Sequence, residues 1–517
     1  MIISDFIEKA RKLYPKNEAI ICNNVRLTYE QFYERTRKLA ICLQSAGIRR
    51  GDVVSILHFN CHCYMEVYFA AAWCGAILNS INVRLSPREI DYILKDSDSR
   101  LLISNQRYAE LLRKVPVPPD TVIWTGTGLL SSFPGPSYED MIAKAPENDS
   151  VHHVEVNEDD IAHLYYTSGT TGKAKGVPLS HRNVTFHSLC ALSEFAISES
   201  DNWLHAAPLF HLADAWATFA FTLAGARHTM LNDFDEQRVF ELIETERVTI
   251  TNMIPTMLNM LIHADDVDNH DFSSLRVILS GGASIAPTLV RSIMEKFGCE
   301  YIQTYGMTET SPYLTISKLK DHLRSLPVEE QLRYKAKTGR EYSSVSLRVV
   351  REDNSDVRAD GKEIGEITVK GDSVTQGYWK LPEETAKAIR NGWLYTGDMA
   401  TIDSEGYVNI VDRKKDMIIT GGENVYSTEV EHVIYEHPAV LEVAVIGVPD
   451  ETWGETVKAF VVLKKGMQAT GEDITAFVRE RIAHFKAPRQ VAFLDSLPRT
   501  GSGKITKQVL RDEGMKN

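Results

Sequence analysis

The residues best equipped for chemistry lie in one short segment, Tyr165 to Val177, which reads YYTSGTTGKAKGV. Glycines let the backbone approach a ligand closely. Hydroxyls add donors, and lysines neutralise negative charge. Thr167, Ser168, Gly169, Thr170, Thr171, Gly172, Lys173 and Gly176 therefore suit a loop that wraps a polyphosphate. The usual P-loop spacing would put a glycine at 167 and a hydroxyl at 174, where Thr167 and Ala174 stand. Composition alone leaves two readings open, a phosphate-binding loop and a flexible surface turn.

The elements around this segment point to an α/β protein. IAHLYY precedes it as a short apolar strand, and VTITNMI, LRVILS and EYIQTYG repeat the theme further on. Each is read as running through a Gly- or Pro-containing turn, and the first three as leading into a helix. That alternation predicts βαβ units and a largely parallel, doubly wound sheet. Ligands of such sheets bind beyond the carboxyl ends of the strands. The loops 167–176, 281–283 and 304–309 fall at that edge and could converge on one ligand. The Pro- and Gly-rich passage at 116–137 reads as a loop excursion. Beyond about residue 340 strands and hairpins dominate, with Ser404-Glu405-Gly406 as a turn, and the last hundred residues read as a small α+β domain.

The chain has 517 residues, more than one core usually supports. Its net charge of −13 argues against a nucleic-acid binder that relies on bulk positive charge. No apolar run is long enough to span a bilayer, and the first residues do not read as a secretory signal. The seven scattered cysteines form no disulfide framework and suit a reducing, cytoplasmic setting. Cys61-His62-Cys63 matches no common zinc spacing and reads as part of a buried helix.

YTSGTTGKAKGV resembles the characteristic loop of the adenylate-forming superfamily of acyl-CoA synthetases, luciferases and peptide-synthetase adenylation domains. Further matches follow in the family's order: PLFH at 208–211, GGA at 281–283, TYGMTE at 304–309, YTGD at 395–398, DRKKD at 412–416, GGENVYSTEVE at 421–431 and PRTGSGK at 498–504. The resemblance spans nearly the whole chain. It implies a large N-terminal domain, 1–412, with doubly wound mainly parallel sheets and a β-rich subdomain. A hinge at 413–416 and a small mobile α+β domain, 417–517, would follow.

The implied reaction joins a carboxylic acid to AMP with loss of pyrophosphate, then passes the acyl group to coenzyme A. ATP, Mg2+ and coenzyme A are the implied small molecules. The resemblance assigns Thr167 to Lys173 to the phosphates and Gly281, Gly282 and Ala283 to the adenine edge. Thr304, Tyr305 and Gly306 also line the nucleotide, with Tyr305 stacking on the base. Thr308 would donate to a phosphate, and Glu309 with Thr170 would hold the metal. Asp398 would accept from the ribose hydroxyls, with Arg413 beside it. Lys504 would bridge the attacking carboxylate and the α-phosphate as principal catalyst.

His211 would border the acyl site and move between half-reactions, Lys415 would be the pivot, and Gly421 and Gly422 would border the pantetheine tunnel. The acyl walls expected are Leu212, Ala213, Asp214, Trp216, Met253, Ala283, Thr304 and Met307. They suit a medium- or long-chain fatty acid or an aromatic acid. Asp214 is expected either to cap a helix or to meet a polar substrate. The charged segment at 318–341 departs from the family's shorter passage and is expected to alter a lid or a subunit contact, and a homo-oligomer is compatible with the sequence. Two alternatives remain: a ligase that hands its acyl-AMP to a carrier protein, against which no carrier-like domain follows, and a non-catalytic nucleotide or acyl sensor.

Overall fold

The computed structural model describes residues 1–116, 122–126, 135–146, 154–167, 173–450, 452–499 and 505–514. Two compact units result: Met1–Leu347 with Val369–Leu394, and Arg348–Thr368 with Tyr395–Asn517.

The first unit carries two sheets. One has the order Val122–Thr125, Ser99–Asn105, Val53–Leu57, Ile77–Ser80, Ile161–Thr167, Lys175–Ser180. Its first five strands are parallel and the last is antiparallel. The other begins with Gly339–Glu341, Tyr313–Ile316 and Glu300–Gly306. It continues through Val277–Gly281, Ile250–Asn252, Asn202–His205, Arg227–Met230, Glu18–Cys22 and Val25–Thr28. It is parallel from Glu300–Gly306 to Glu18–Cys22 and antiparallel at both margins. The doubly wound, mainly parallel expectation therefore holds.

Two local readings need correction. The segment after Ile161–Thr167 returns as the antiparallel strand Lys175–Ser180 before the helix His181–Glu194 begins, so it joins strand to strand and not strand to helix. Val177 and Leu179, two residues apart, put their side chains on one face of this strand and are fully buried. Within the supposed loop excursion, VIWT forms the buried edge strand Val122–Thr125.

Side-chain periodicity explains the core. The helix His62–Trp73 is apolar on every side, as a helix buried between layers must be. It packs with Ser4–Leu13 and Tyr29–Ser45, and Thr28 and Gln31 close a capping box on the latter. The charged segment after 318 is no loose lid. It forms the helix Val328–Ala336, which lies against Pro287–Phe297. Leu332 enters the core, and Lys335 is buried with its ammonium on Glu300 (3.2 Å) and the Tyr301 carbonyl (3.1 Å).

In the second unit, strands Val440–Asp450 and Gly454–Leu463 form a long antiparallel pair, with Gln490–Phe493 parallel to the second of them. Alternate residues serve two faces. Val443, Val445, Val457 and Val461 meet the helices Ser427–Tyr435 and Gly471–Arg479, while Ala444, Ile446, Phe460 and Val462 meet Leu497 and Leu510. The strand Trp393–Ile402 pairs antiparallel with Tyr407–Arg413, from Asp398 opposite Arg413 to Ile402 opposite Val408. The turn expected at 404–406 is present: Asp403 accepts from the Glu405 and Tyr407 amides, and Gly406 has φ +77°.

All seven cysteines are free thiols. Among the described residues no helix is long and apolar enough to cross a membrane.

Asp214 fulfils neither expectation made for it. It is fully buried in the first turn of the helix Leu212–Ala224, where it accepts from Trp203 Nε1 (3.1 Å) and pairs with His205 Nδ1 (2.5 Å). His205 Nε2 meets His228 Nδ1 at 3.0 Å, and His228 Nε2 meets the Thr222 hydroxyl at 3.1 Å. Burial raises the Asp214 pKa against the opposing pull of His205, and burial with His205 lowers that of His228. Asp214→Ala strands a buried imidazole and an indole N–H. The expected cost is about 3–5 kcal/mol of unfolding free energy, read by urea denaturation; a loss near zero would contradict the network.

Candidate active site

The site is built from two neighbouring parallel strands whose ends carry the glycines. Val277–Gly281 and Glu300–Gly306 pair with Gly281 opposite Thr304. A Cβ on Gly281 would lie 2.6 Å from Thr304 Oγ1 and 2.7 Å from its carbonyl, so glycine is what lets these strands close. Gly282 has φ +85° and turns the chain outward. Gln303 Nε2 donates to the Ala283 carbonyl (2.7 Å), and Thr304 Oγ1 donates to the Ser280 carbonyl (3.0 Å). Gly306 lies so close to the Pro312 carbonyl that no side chain fits, which permits the return as Tyr313–Ile316.

Gly282 and Ala283 are thus exposed beside Thr304 and the half-buried Tyr305, Gly306 and Thr308. Glu309 is 6% exposed in the short turn Thr308–Thr310. The structure brings 281–283 and 304–309 to one sheet edge, the carboxyl end, where a parallel sheet presents ligand sites.

A second segment, which sequence reasoning missed, positions Glu309. The Thr375 amide donates to the Glu309 carbonyl (2.7 Å), and the Tyr378 hydroxyl donates to Glu309 Oε1 (2.9 Å). Burial and the adjoining carboxylate raise the Tyr378 pKa, so the phenol stays protonated and able to donate. The same segment grips the strand leaving the glycine-rich loop. Thr375 Oγ1 donates to the Pro178 carbonyl (2.6 Å) and the Trp379 amide to the Gly176 carbonyl (2.8 Å). Lys175 lies with its ammonium 5.3 Å from the centre of the Tyr378 ring and 2.5 Å from Glu384. The signal available in the sequence was QGYWK, an aromatic pair following a glycine in an otherwise polar stretch.

Ser168, Gly169, Thr170, Thr171, Gly172 and Lys504 lie outside the described residues. Thr167 ends its strand half-buried, and Lys173 is exposed. His211 precedes the helix Leu212–Ala224 as its N-cap residue, half-buried, its ring 5.0 Å from that of Phe210. Of the expected acyl walls, Leu212, Trp216, Met253 and Thr304 are buried, Met307 is half-buried, and Ala213 and Ala283 are exposed. Trp216 is less an open wall than part of an aromatic cluster, edge-on to Trp203 (5.2 Å) and Tyr313 (5.4 Å) and 5.7 Å from His187. His187 and Tyr313 were not foreseen, because each looks like ordinary core in isolation.

In the second unit, Asp398 and Arg413 face each other across the hairpin, Nε to Oδ1 at 2.9 Å. Asp398 is 3% exposed and Arg413 is open to solvent. Gly421 and Gly422 form the two-residue turn between Ile418–Thr420 and Glu423–Val425, with φ +59° and +84°. A tight hairpin turn with both residues at positive φ strongly favours glycine. A Cβ at 421 would also press on the Trp453 ring at 2.8 Å. Lys415 is exposed.

This geometry belongs to a known class. The model of the AMP-binding enzyme family matches residues 7–379, and that of the AMP-binding enzyme C-terminal domain matches 429–504. The chain is 37% identical to a feruloyl-CoA synthase of Amycolatopsis, over 98% of this chain and 97% of that protein. It is 36% identical to 4-hydroxybutyrate–CoA ligase 2 of Metallosphaera sedula, over 98% and 93%. A solved o-succinylbenzoate CoA synthetase of Bacillus subtilis, in complex with its acyl-adenylate, superposes with a TM-score of 0.84 at 30% identity, covering 98% of each chain. The chain belongs to the AMP-binding, adenylate-forming enzyme family. Within it, the protein is an ATP-dependent acyl-CoA synthetase.

Gly281→Ala forces the paired strands apart at the site edge. We expect about 1–3 kcal/mol of destabilisation by chemical denaturation, together with weakened nucleotide binding. Unchanged stability would mean that the glycine is not required by strand closeness.

Proposed function

We propose that the protein activates a medium- or long-chain fatty acid or an aromatic acid with ATP, forming acyl-AMP and pyrophosphate, and then transfers the acyl group to coenzyme A. The observation that carries this reading is the paired edge of 281–283 and 304–309, with Glu309 held by Thr375 and Tyr378. Relatives named for both classes support the pairing: a feruloyl-CoA synthase for the aromatic acid and a long-chain-fatty-acid–CoA ligase of Thermus thermophilus for the fatty acid.

The donor set suits a hard cation. Glu309 offers a nearly buried carboxylate, of whose four lone-pair sites Tyr378 occupies one. Mg2+ held there with Thr170 would offset phosphate charge. The remaining roles fall to the chain's own groups. Thr167, Ser168, Gly169, Thr170, Thr171, Gly172 and Lys173 take the phosphates. Gly281, Gly282, Ala283, Thr304, Tyr305 and Gly306 take the adenine, and Thr308 donates to a phosphate. Asp398 and Arg413 take the ribose. Both the acid carboxylate and the α-phosphate are anionic, so an ammonium reaching both lowers the barrier; Lys504 is that group. Residues 413–416 act as the hinge between 1–412 and 417–517, with Lys415 as pivot. His211 guards the acyl carboxylate, and Gly421 and Gly422 line the path of the thiol.

Pyrophosphate–ATP exchange with a panel of acids, followed by thioester assay with coenzyme A, tests the reading. Exchange and thioester with a fatty or an aromatic acid support it. Exchange without thioester indicates a carrier-protein ligase, and no exchange with any acid indicates a sensor. Lys504→Ala should abolish exchange yet still convert supplied acyl-AMP to thioester, and Lys415→Pro should impair mainly the thioester step; equal loss of both steps in either variant counts against its assignment. Tyr378→Phe should raise the Mg2+ concentration needed for half-maximal exchange without lowering the unfolding midpoint appreciably, and an unaltered Mg2+ dependence would remove Tyr378 from the site.

A further inference from the structure

Three side chains with no part in the reaction above meet at the start of the helix His62–Trp73. His62 Nε2 lies 3.4 Å from Cys63 Sγ and 3.7 Å from Glu139 Oε1, and the three donor atoms all lie within 4.8 Å of one another. With Zn–S near 2.3 Å and Zn–N or Zn–O near 2.0–2.2 Å, ligand atoms of a tetrahedral zinc site stand about 3.3–3.7 Å apart. Two edges already have that length. The Glu139 side chain is half-exposed, so a small rotation can close the third.

We propose that His62, Cys63 and Glu139 form a binding site for a thiophilic divalent cation of the Zn2+ type. A thiol, an imidazole and a carboxylate make a borderline-soft donor set of the kind such ions prefer. Binding displaces the thiol proton of Cys63, whose sulfur becomes the anionic ligand.

The surroundings support a cation. Arg35 holds both oxygens of Glu139 (2.7 and 3.0 Å) and both of Glu66 (2.6 and 3.3 Å). The Tyr138 hydroxyl donates to Glu66 Oε2 at 2.6 Å. Glu139 is thereby aimed before any ion arrives, which is how outer hydrogen bonds tune metal ligands. Two carboxylates against one guanidinium leave one negative charge, and the Cys63 thiolate adds a second, so a dication neutralises the cluster. Just before the helix, the Cys61 thiol lies 3.4 Å from His58 Nδ1. The sequence hid this site because its spacing is unlike a finger or ribbon: two adjacent ligands combine with a third from the remote helix Tyr138–Lys144.

Cobalt titration of the full-length, reduced, chelator-treated protein tests the proposal. We expect a thiolate-to-cobalt charge-transfer band with visible tetrahedral bands, saturating at one equivalent per chain and bleached by Zn2+. Cys63→Ser should abolish the band. His62→Gln and Glu139→Gln, at partly exposed positions, should weaken binding by roughly tenfold or more, while Cys190→Ser keeps the full signal. Circular dichroism verifies that each variant is folded. No band in the native chain, or an equal band in folded His62→Gln and Glu139→Gln, overturns the site. Pyrophosphate exchange is not needed for the readout, so this test stands or falls apart from the proposed activity.

Discussion

The turn that carries Glu309 and the strand Lys175–Ser180 are tied together through Thr375. Its amide holds the Glu309 carbonyl and its hydroxyl holds the Pro178 carbonyl, so a single side chain and its backbone join the margins of two different sheets. Both margins are antiparallel returns, Lys175–Ser180 in one sheet and Tyr313–Ile316 in the other. Parallel strands leave their ends to loops, whereas an antiparallel return puts fixed carbonyls beside the carboxyl edge. Those carbonyls are what Thr375 and Trp379 bind. The Glu309 turn is thus held through backbone acceptors, and Tyr378 adds a side-chain contact to the carboxylate itself.

This arrangement accounts for what was legible in the sequence. The apolar strands and their glycine-bearing ends were readable because a continuous apolar run that ends in glycine is a local signal. The eight ordered motifs made the family plain. Three features were not fully legible. Asp214 looked like a cap or a substrate contact, yet its acceptors serve Trp203 and His205 on a neighbouring strand. Tyr378 gave no sign that it would reach Glu309. Gly421 and Gly422 were assigned to a ligand tunnel, while the hairpin alone already favours glycine at both positions. A glycine that matches a motif can be demanded by geometry and by ligand at once, and the motif does not separate the two.

Two sets of buried polar groups are interconnected. Glu66 and Tyr138, with Arg35, form one set, and Asp214, His205, His228 and Thr222 another. Each set crosses between elements, so each fixes a register that apolar packing alone would leave degenerate. Removing one member costs more than the contact it makes, because the partner stays buried without compensation.

The residues around Lys415 form a third such set, and their connections interleave. Asp412 accepts from the Ser427 amide (2.5 Å) and hydroxyl (3.1 Å), and Lys507 donates to the same hydroxyl (2.6 Å) while pairing with Glu431 (2.8 Å). Asp416 pairs with Arg511 at 2.5 Å. Residues 412 and 416 are therefore tied to elements that follow them. Arg413 and Lys414 are tied to elements that precede them, through Asp398 and through Glu366 with the Gly397 carbonyl. Burial raises the Asp412 pKa against the pull of Lys507, so that carboxylate depends on its donors to stay charged. A pivot at Lys415 would leave Arg413 and Lys414 with Asp398, Glu366 and Gly397, since all of these precede it. Asp412 also precedes it, paired with Met399 across the hairpin, whereas Ser427, Glu431 and Lys507 follow it. Any rotation there would therefore have to release the buried Asp412–Ser427 contact, which costs more than parting exposed partners.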